Sequence, residues 1–238
     1  MVFLLHGWGL NRRVFATLEQ ALALPCQSLD LPGHGQAPYE PGALDPDGLA
    51  ADLALRHPGA HAWLGWSLGG LIALTLAARH PESVSRLILI GATPCFVRAR
   101  DWPHGTEPTV FQAFADQLTI DHEATLRRFL TLQAGPGGRS EVRTLMADLK
   151  SGGAPQPEAL AEGLAVLQAS DRRPLLPAVR APVLMLHGAG DTIVSIEAAR
   201  AAAALMPHAR LCAIGHGHAP FLSAPEDSAS LIRNFLHE

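Results

Sequence analysis

Six short apolar runs, at residues 2–5, 26–31, 63–66, 87–90, 183–186 and 210–214, most constrain what this chain can fold into. Each is too short for a helix and is bounded by Gly, Pro, Asp or His. Between most of them lie stretches with apolar residues at helical spacing. Asn11 is placed to cap a helix whose buried face would be Val14, Phe15, Leu18 and Leu22. Residues 47–56 repeat the pattern through Leu49 and Leu53, and 68–80 form a strongly apolar helix that stops before Pro81. Strand and helix in alternation predict βαβ units around a parallel sheet.

The rhythm breaks between 94 and 174, where helical patterns run without convincing strands. Gly135-Pro136-Gly137-Gly138 and Ser151-Gly152-Gly153 punctuate that segment. It reads as a helical insertion (94–174) over a core made of residues 1–93 and 175–238. The alternation then resumes, with a helix over 197–206 and a closing helix over 225–236. A chain of 238 residues suits one core carrying an insertion better than two domains.

Composition narrows the class. Hydrophobic residues make up 48% and charged residues 17%, as in ordinary globular proteins. A net charge of -4 gives no reason to expect nucleic acid as a partner. Three scattered cysteines, Cys26, Cys95 and Cys212, make neither a disulfide framework nor a metal motif. The N-terminal residues lack the basic and apolar regions of a signal peptide, and no apolar stretch reaches membrane-span length. A monomeric, cytoplasmic protein without membrane partners is the expectation.

The chemistry concentrates at Gly65-Trp66-Ser67-Leu68-Gly69. A serine on a tight turn between strand and helix projects its hydroxyl above the sheet, and flanking glycines admit the close backbone approach. Such a hydroxyl needs a base, itself oriented by a carboxylate. Asp191 follows the run at 183–186, and His216 and His218 follow the run at 210–214. All sit past strand ends, as Ser67 does, where open α/β sheets place their sites. Asp191 could instead cap the helix after it, with Asp30 the substitute acid. His216 competes with His218, and the pair could ligate a metal, although no third ligand is evident nearby. Donors for a developing oxyanion are available at the N–H of Leu68 and, from the loop His6-Gly7-Trp8-Gly9, the N–H of Trp8. His6, His57 and His80 read as structural or exposed.

Several segments together carry a closer likeness. His6-Gly7-Trp8-Gly9-Leu10-Asn11, Asp30-Leu31-Pro32-Gly33, Trp63 through Gly70, Pro94-Cys95-Phe96, Arg128-Phe129-Leu130 with Leu132-Gln133, and His218-Ala219-Pro220-Phe221 span nearly the whole chain. In these the chain resembles the pimeloyl-acyl carrier protein methyl ester esterases of biotin synthesis, within the α/β-hydrolase superfamily. The resemblance implies the α/β-hydrolase fold, a mostly parallel central sheet flanked by helices, with a helical lid and no cofactor or metal. It implies hydrolysis of the carrier-bound methyl ester to the free ω-carboxylate and methanol. It assigns Ser67, Asp191 and His218 to the triad, Trp8 and Leu68 to the oxyanion hole, and Trp8, Trp66 and Phe129 to substrate binding.

A carrier protein is acidic, so its esterase should present a basic docking face. Between Arg127 and Lys150 five basic residues stand against two acidic ones, a net of +3 in an acidic protein. Arg128, Arg139 and Arg143 match basic lid positions of the family, whereas Ala124 stands where another arginine is usual. The chain also starts directly at its first core strand, without the antiparallel strands that usually precede it, so an open sheet edge is expected. The alternatives are a general short-chain carboxylesterase and, from another class, a hydrolase-fold ligand receptor. Haloalkane dehalogenases and epoxide hydrolases are disfavoured, because they carry an aspartate where Ser67 stands.

Overall fold

The computed structural model describes residues 1–135 and 138–238. The expected break at Pro136 and Gly137 therefore lies outside the described residues. The strands β1 (Val2–Leu5), β2 (Cys26–Leu29), β3 (His61–Trp66), β4 (Val84–Ile90), β5 (Val183–Ala189) and β6 (Ala209–His216) form one sheet in the order β2-β1-β3-β4-β5-β6. Every pairing is parallel. The chain leaves β1 for one edge and returns to its other side at β3, so the strand order reverses between β1 and β3. Crevices at such reversals are where open α/β sheets bind ligands.

Strand periodicity explains why the apolar runs are continuous. In β1, Phe3 and Leu5 face one layer while Val2 and Leu4 face the other, and β4 divides Leu87 and Leu89 from Ile88 and Ile90 in the same way. The first layer is closed by α2 (Pro46–Arg56), α3 (Leu68–Arg79) and α8 (Ile196–Ala204). The second is closed by α1 (Ala16–Leu22), the short α9 (Pro220–Ser223) and α10 (Pro225–His237). Each fully buried leucine in these layers contributes about 1.5–3 kcal/mol. At one end of the strand order lies β2, whose four residues include exposed Gln27.

Several boundaries differ from expectation by a few residues, as in β4, which begins at Val84 and not 87, and two of the differences have a clear physical reason. Strand β2 stops at Leu29, not 31, because Leu31 N–H turns to His6 Nε2 at 3.0 Å and the Asp30 carboxylate accepts from Arg12 and Gln36. Strand β5 runs three residues past 186, because Ala189 still pairs with His216 across a shift in register.

Between β4 and β5 lie α4 (Pro108–Ile120), α5 (His122–Ala134), α6 (Arg139–Gly152) and α7 (Pro157–Ala169), with isolated bridges such as Cys95 to Asp171. Asn11 binds this segment to the core. Its side chain caps the turn at Arg13 N–H, as expected, and its amide also donates to Asp148 and Gly153 carbonyls at the end of α6, at 3.2 and 3.1 Å. The Asp148 carbonyl also accepts from the Ser151 hydroxyl at 3.2 Å, whereas that of Gly153 would otherwise be orphaned at the helix end. The Glu162 carboxylate of α7 likewise accepts from Tyr39, Gly42 and Leu44. No helix among the described residues is long and apolar enough to cross a membrane.

Candidate active site

Ser67 joins β3 to α3 in a backbone conformation that few L-residues adopt, φ 55° and ψ −116°. Such strain costs about 1–3 kcal/mol and persists only where neighbours enforce it. Here Ser67 N–H donates to Ile90 O at 3.0 Å and Gly69 N–H to His6 O at 3.1 Å. The glycines are a steric requirement: a Cβ on Gly69 would lie 2.2 Å from Leu5 O, and one on Gly65 2.3 Å from Gly69 O. The strand end and the helix start are thus pressed together, and the hydroxyl stands over the carboxyl edge of the sheet.

Asp191 and His218 come from the loops after β5 and β6. His218 Nδ1 lies 2.7 Å from Asp191 Oδ2, with both side chains fully buried. The other oxygen, Oδ1, accepts from Ile193 N–H at 2.9 Å and Val194 N–H at 3.0 Å. Burial pushes the Asp191 carboxyl up, but His218, His187 and these hydrogen bonds together hold it below its ordinary value. His218 Nε2 is buried without a hydrogen-bond partner. The hydrogen bond between a catalytic imidazole and its serine commonly forms only with substrate in place.

The rival candidates go elsewhere. Asp30 is occupied by the Arg12 and Gln36 N–H groups, at 2.7 and 3.1 Å. His216 sits half-exposed, 3.5 Å from Glu141 of α6, so it and His218 point to different partners.

Among the described residues, the N–H groups of Trp8 and Leu68 make no hydrogen bond within the protein. Both flank the Ser67 turn. The Trp8 loop is fixed by two histidines that the sequence did not single out for this. His6 Nδ1 lies 2.8 Å from Gly7 O and its Nε2 accepts from Leu31; His34 Nδ1 lies 2.9 Å from Pro32 O and its Nε2 accepts from Gly9 N–H at 3.4 Å. Accepting at Nε2 requires the neutral ring. Burial, with His34 nearby, lowers the His6 pKa to about 3, and burial also lowers that of His34.

Above Ser67 opens a cavity of about 140 Å³, lined by Trp8, Phe96, Phe111, Phe114, Phe129 and Leu164 among others. Trp8 anchors it, with its indole N–H on Leu160 O at 2.8 Å and its ring edge-on to Phe129 at 5.0 Å. Trp66 is not part of this lining. Its indole N–H donates to His218 O at 2.8 Å and its ring packs on Phe221, so it supports the histidine loop from the far layer. Phe111, Phe114 and Leu164 carried no motif. Their only sequence signal was apolar character on α4 and α7, which ordinary packing also explains. Arg128, Arg139 and Arg143 are exposed on α5 and α6 and make no ion pair among the described residues. Arg128 lines a groove of about 500 Å³ that shares Val110, Phe114 and Leu132 with the cavity over Ser67.

The neutral histidines give a pH dependence with a definite sign. The folded pKa of His6 lies below the unfolded value of 6.5, so the unfolded chain binds the extra proton and stability falls as pH drops from 6.5 towards about 3. The slope from this one group is up to about 1.4 kcal/mol per pH unit. Urea denaturation at pH 7, 6 and 5 should show this loss, and His6→Gln should flatten the slope while lowering stability at pH 7.

Comparison with known proteins agrees with this geometry. A family profile described as the alpha/beta hydrolase fold matches residues 1–225. The "Pimeloyl-[acyl-carrier protein] methyl ester esterase" of Stenotrophomonas maltophilia (strain K279a) is 44% identical over 238 residues, covering 98% of this chain and 91% of the relative. Its namesake in Aromatoleum aromaticum is 44% identical over 245 residues, covering 98% and 96%; that of Nitrosomonas europaea is 42% identical over 234 residues, covering 95% and 92%. An esterase from Exiguobacterium antarcticum superposes with a TM-score of 0.90 at 23% identity, covering 100% of this chain and 91% of its own. An enol-lactonase from Burkholderia xenovorans LB400 does so with a TM-score of 0.85 at 21% identity, again covering 100% and 91%. At that identity the two structures speak for the fold alone. The sheet order, the strained serine turn and the near full-length relatives together show that the chain belongs to the α/β-hydrolase fold family and, within it, to the pimeloyl-[acyl-carrier protein] methyl ester esterases.

Proposed function

We propose that this protein is a serine esterase that hydrolyses the methyl ester of pimeloyl-acyl carrier protein, releasing methanol and leaving the free ω-carboxylate on the carrier, a step of biotin synthesis. The observation that carries the chemistry is the arrangement around Ser67: a strained turn below an apolar cavity, with a buried His218–Asp191 pair 2.7 Å apart at the same sheet edge. The curated name of the relatives, at 42–44% identity over nearly the whole chain, supports the substrate.

In this reading His218 Nε2 takes the proton of the Ser67 hydroxyl as Oγ attacks the ester carbonyl. The N–H groups of Trp8 and Leu68 stabilise the oxyanion of the tetrahedral intermediate. His218 then gives the proton to the departing methoxy oxygen, and methanol leaves an acyl-enzyme. Water, deprotonated by the same histidine, attacks the acyl carbonyl and frees Ser67 and the carboxylate. Asp191 fixes the imidazole tautomer and balances the charge of the imidazolium in both halves. The apolar cavity accepts the acyl chain and the neutral ester, with Trp8 and Phe129 against it. The exposed cations Arg128, Arg139 and Arg143 attract the acidic carrier, and the groove at Arg128 gives its arm a route towards Ser67.

Loss of any triad member should cost about 10⁴-fold or more in kcat, with the fold intact. Ser67→Ala and His218→Ala should be similarly severe on a chromogenic short-chain ester, and Asp191→Asn severe through the wrong tautomer. His216→Ala and Asp30→Asn should be mild. Steady-state kinetics checks this, and a greater loss at His216 or Asp30 than at its rival would reassign the triad.

The carrier reading is tested by Arg139→Ala combined with Arg143→Ala. Turnover of a small free ester should hardly change, because that substrate never meets the lid surface. On the carrier-bound methyl ester kcat/KM should fall about tenfold, and the wild-type rate should drop with added salt as charge attraction is screened. Equal losses on both substrates would give the arginines a structural role. No loss on either, without salt dependence, would make general short-chain carboxylesterase the better description.

A further inference from the structure

We infer that His187 is a positioning residue for Asp191, closing the loop that aims the carboxylate at His218. This rests on the triad reading above and adds a residue to it. His187 lies in β5, four positions before Asp191, and only 1% of it is exposed. The strand before it is Val183-Leu184-Met185-Leu186, so an imidazole is out of keeping with an apolar run. A buried polar ring is retained only where it is hydrogen-bonded.

Its bonds explain the choice. His187 Nε2 donates to Val194 O at 2.8 Å and lies 3.4 Å from Asp191 Oδ2. Val194 N–H in turn donates to Asp191 Oδ1 at 3.0 Å, beside Ile193 N–H at 2.9 Å. The loop is therefore a closed bracket: strand imidazole to Val194 carbonyl, Val194 amide to carboxylate, carboxylate to His218. The strand end from which the ring projects is itself fixed, since a Cβ on Gly188 would lie 1.9 Å from Gly217 O. With both amides on Oδ1, Oδ2 is left facing His218 Nδ1 at 2.7 Å. If the His187 bond is lost, Val194 is released, and the amides that orient the carboxylate go with it. The titratable groups facing His187 are Asp191 and His218, and no other charge enters this cluster among the described residues. Burial keeps the ring neutral despite the nearby carboxylate, so it works as a donor and does not compete with His218 for the charge.

The test compares three replacements on a small chromogenic ester across pH, with Asp191→Asn in parallel. Glutamine can place a donor N–H near the position of Nε2, asparagine falls short of it, and leucine keeps bulk without any donor. His187→Leu and His187→Asn should lower kcat about tenfold or more, with KM within about twofold, because a small misplacement of the carboxylate weakens the transition state and not ground-state binding. The acid limb of kcat/KM should move to lower pH in both, as the imidazolium loses its oriented partner. His187→Gln should restore kcat to within about threefold of wild type and return the acid limb. If the leucine protein does not fold, the contrast between asparagine and glutamine still decides. Wild-type kcat and pH profile in the asparagine variant would overturn the inference, as would equal impairment by glutamine and asparagine. A severe Asp191→Asn beside silent His187 variants would sink this inference alone, whereas an active Asp191→Asn would sink the triad reading itself.

Discussion

The contact on which the rest of the site depends is the meeting of the end of β1 with the start of α3. Gly69 N–H donates to His6 O at 3.1 Å, and the absence of a side chain at Gly69 lets its backbone press against Leu5 O. That single approach forces Ser67 into φ 55°, brings the Trp8 loop beside the Leu68 N–H, and puts both at the reversal of strand order between β1 and β3. A larger residue at Gly69 would separate the serine from the loop that flanks it. The strain is borne by the sheet, whose largely apolar interior strands give the turn a rigid base.

Around this point, burial decides which groups carry charge. Asp191 stays ionised because two amides and two imidazoles surround it, although its burial alone would favour the neutral acid. His6, His34 and His187 are buried with fewer compensating charges and are held neutral, which makes each a fixed donor and acceptor. One carboxylate therefore serves His218, while the other three rings hold the loops in place. The helices between β4 and β5 add a different kind of control. Trp8 and Asn11, three residues apart, bond to α7 and α6 respectively, so the loop beside Ser67 and the roof of the cavity form one hydrogen-bonded unit.

What the sequence revealed follows from the range of the interactions involved. Strands buried on both faces leave continuous apolar runs, and the serine turn leaves its glycines, so the sheet could be read from local pattern, and Ser67, Asp191 and His218 proposed from pattern and order. The end of β2 could not, because it is set by His6 Nε2 capturing Leu31 N–H, a pairing 25 residues apart in the chain. The same holds for Asn11, read as a helix cap but also bonded to α6 across 137 residues. Trp66 was expected beside substrate by likeness, yet its N–H is spent on His218 O. His187 gave no signal beyond being polar in an apolar strand. The cavity wall was hidden for the opposite reason, since Phe111, Phe114 and Leu164 look like any packed helix face until the cavity beside Ser67 is seen.

Which bond of the carrier-bound substrate is cleaved, the methyl ester or the thioester, decides the proposed function most directly. Incubating the purified protein with pimeloyl-acyl carrier protein methyl ester and weighing the carrier by mass spectrometry reads this in one step. The expected product is a carrier that has lost only its methyl group, with methanol released, the thioester intact, and no reaction with Ser67→Ala. A carrier stripped of its whole acyl chain, or one left untouched while small esters are rapidly hydrolysed, would contradict it.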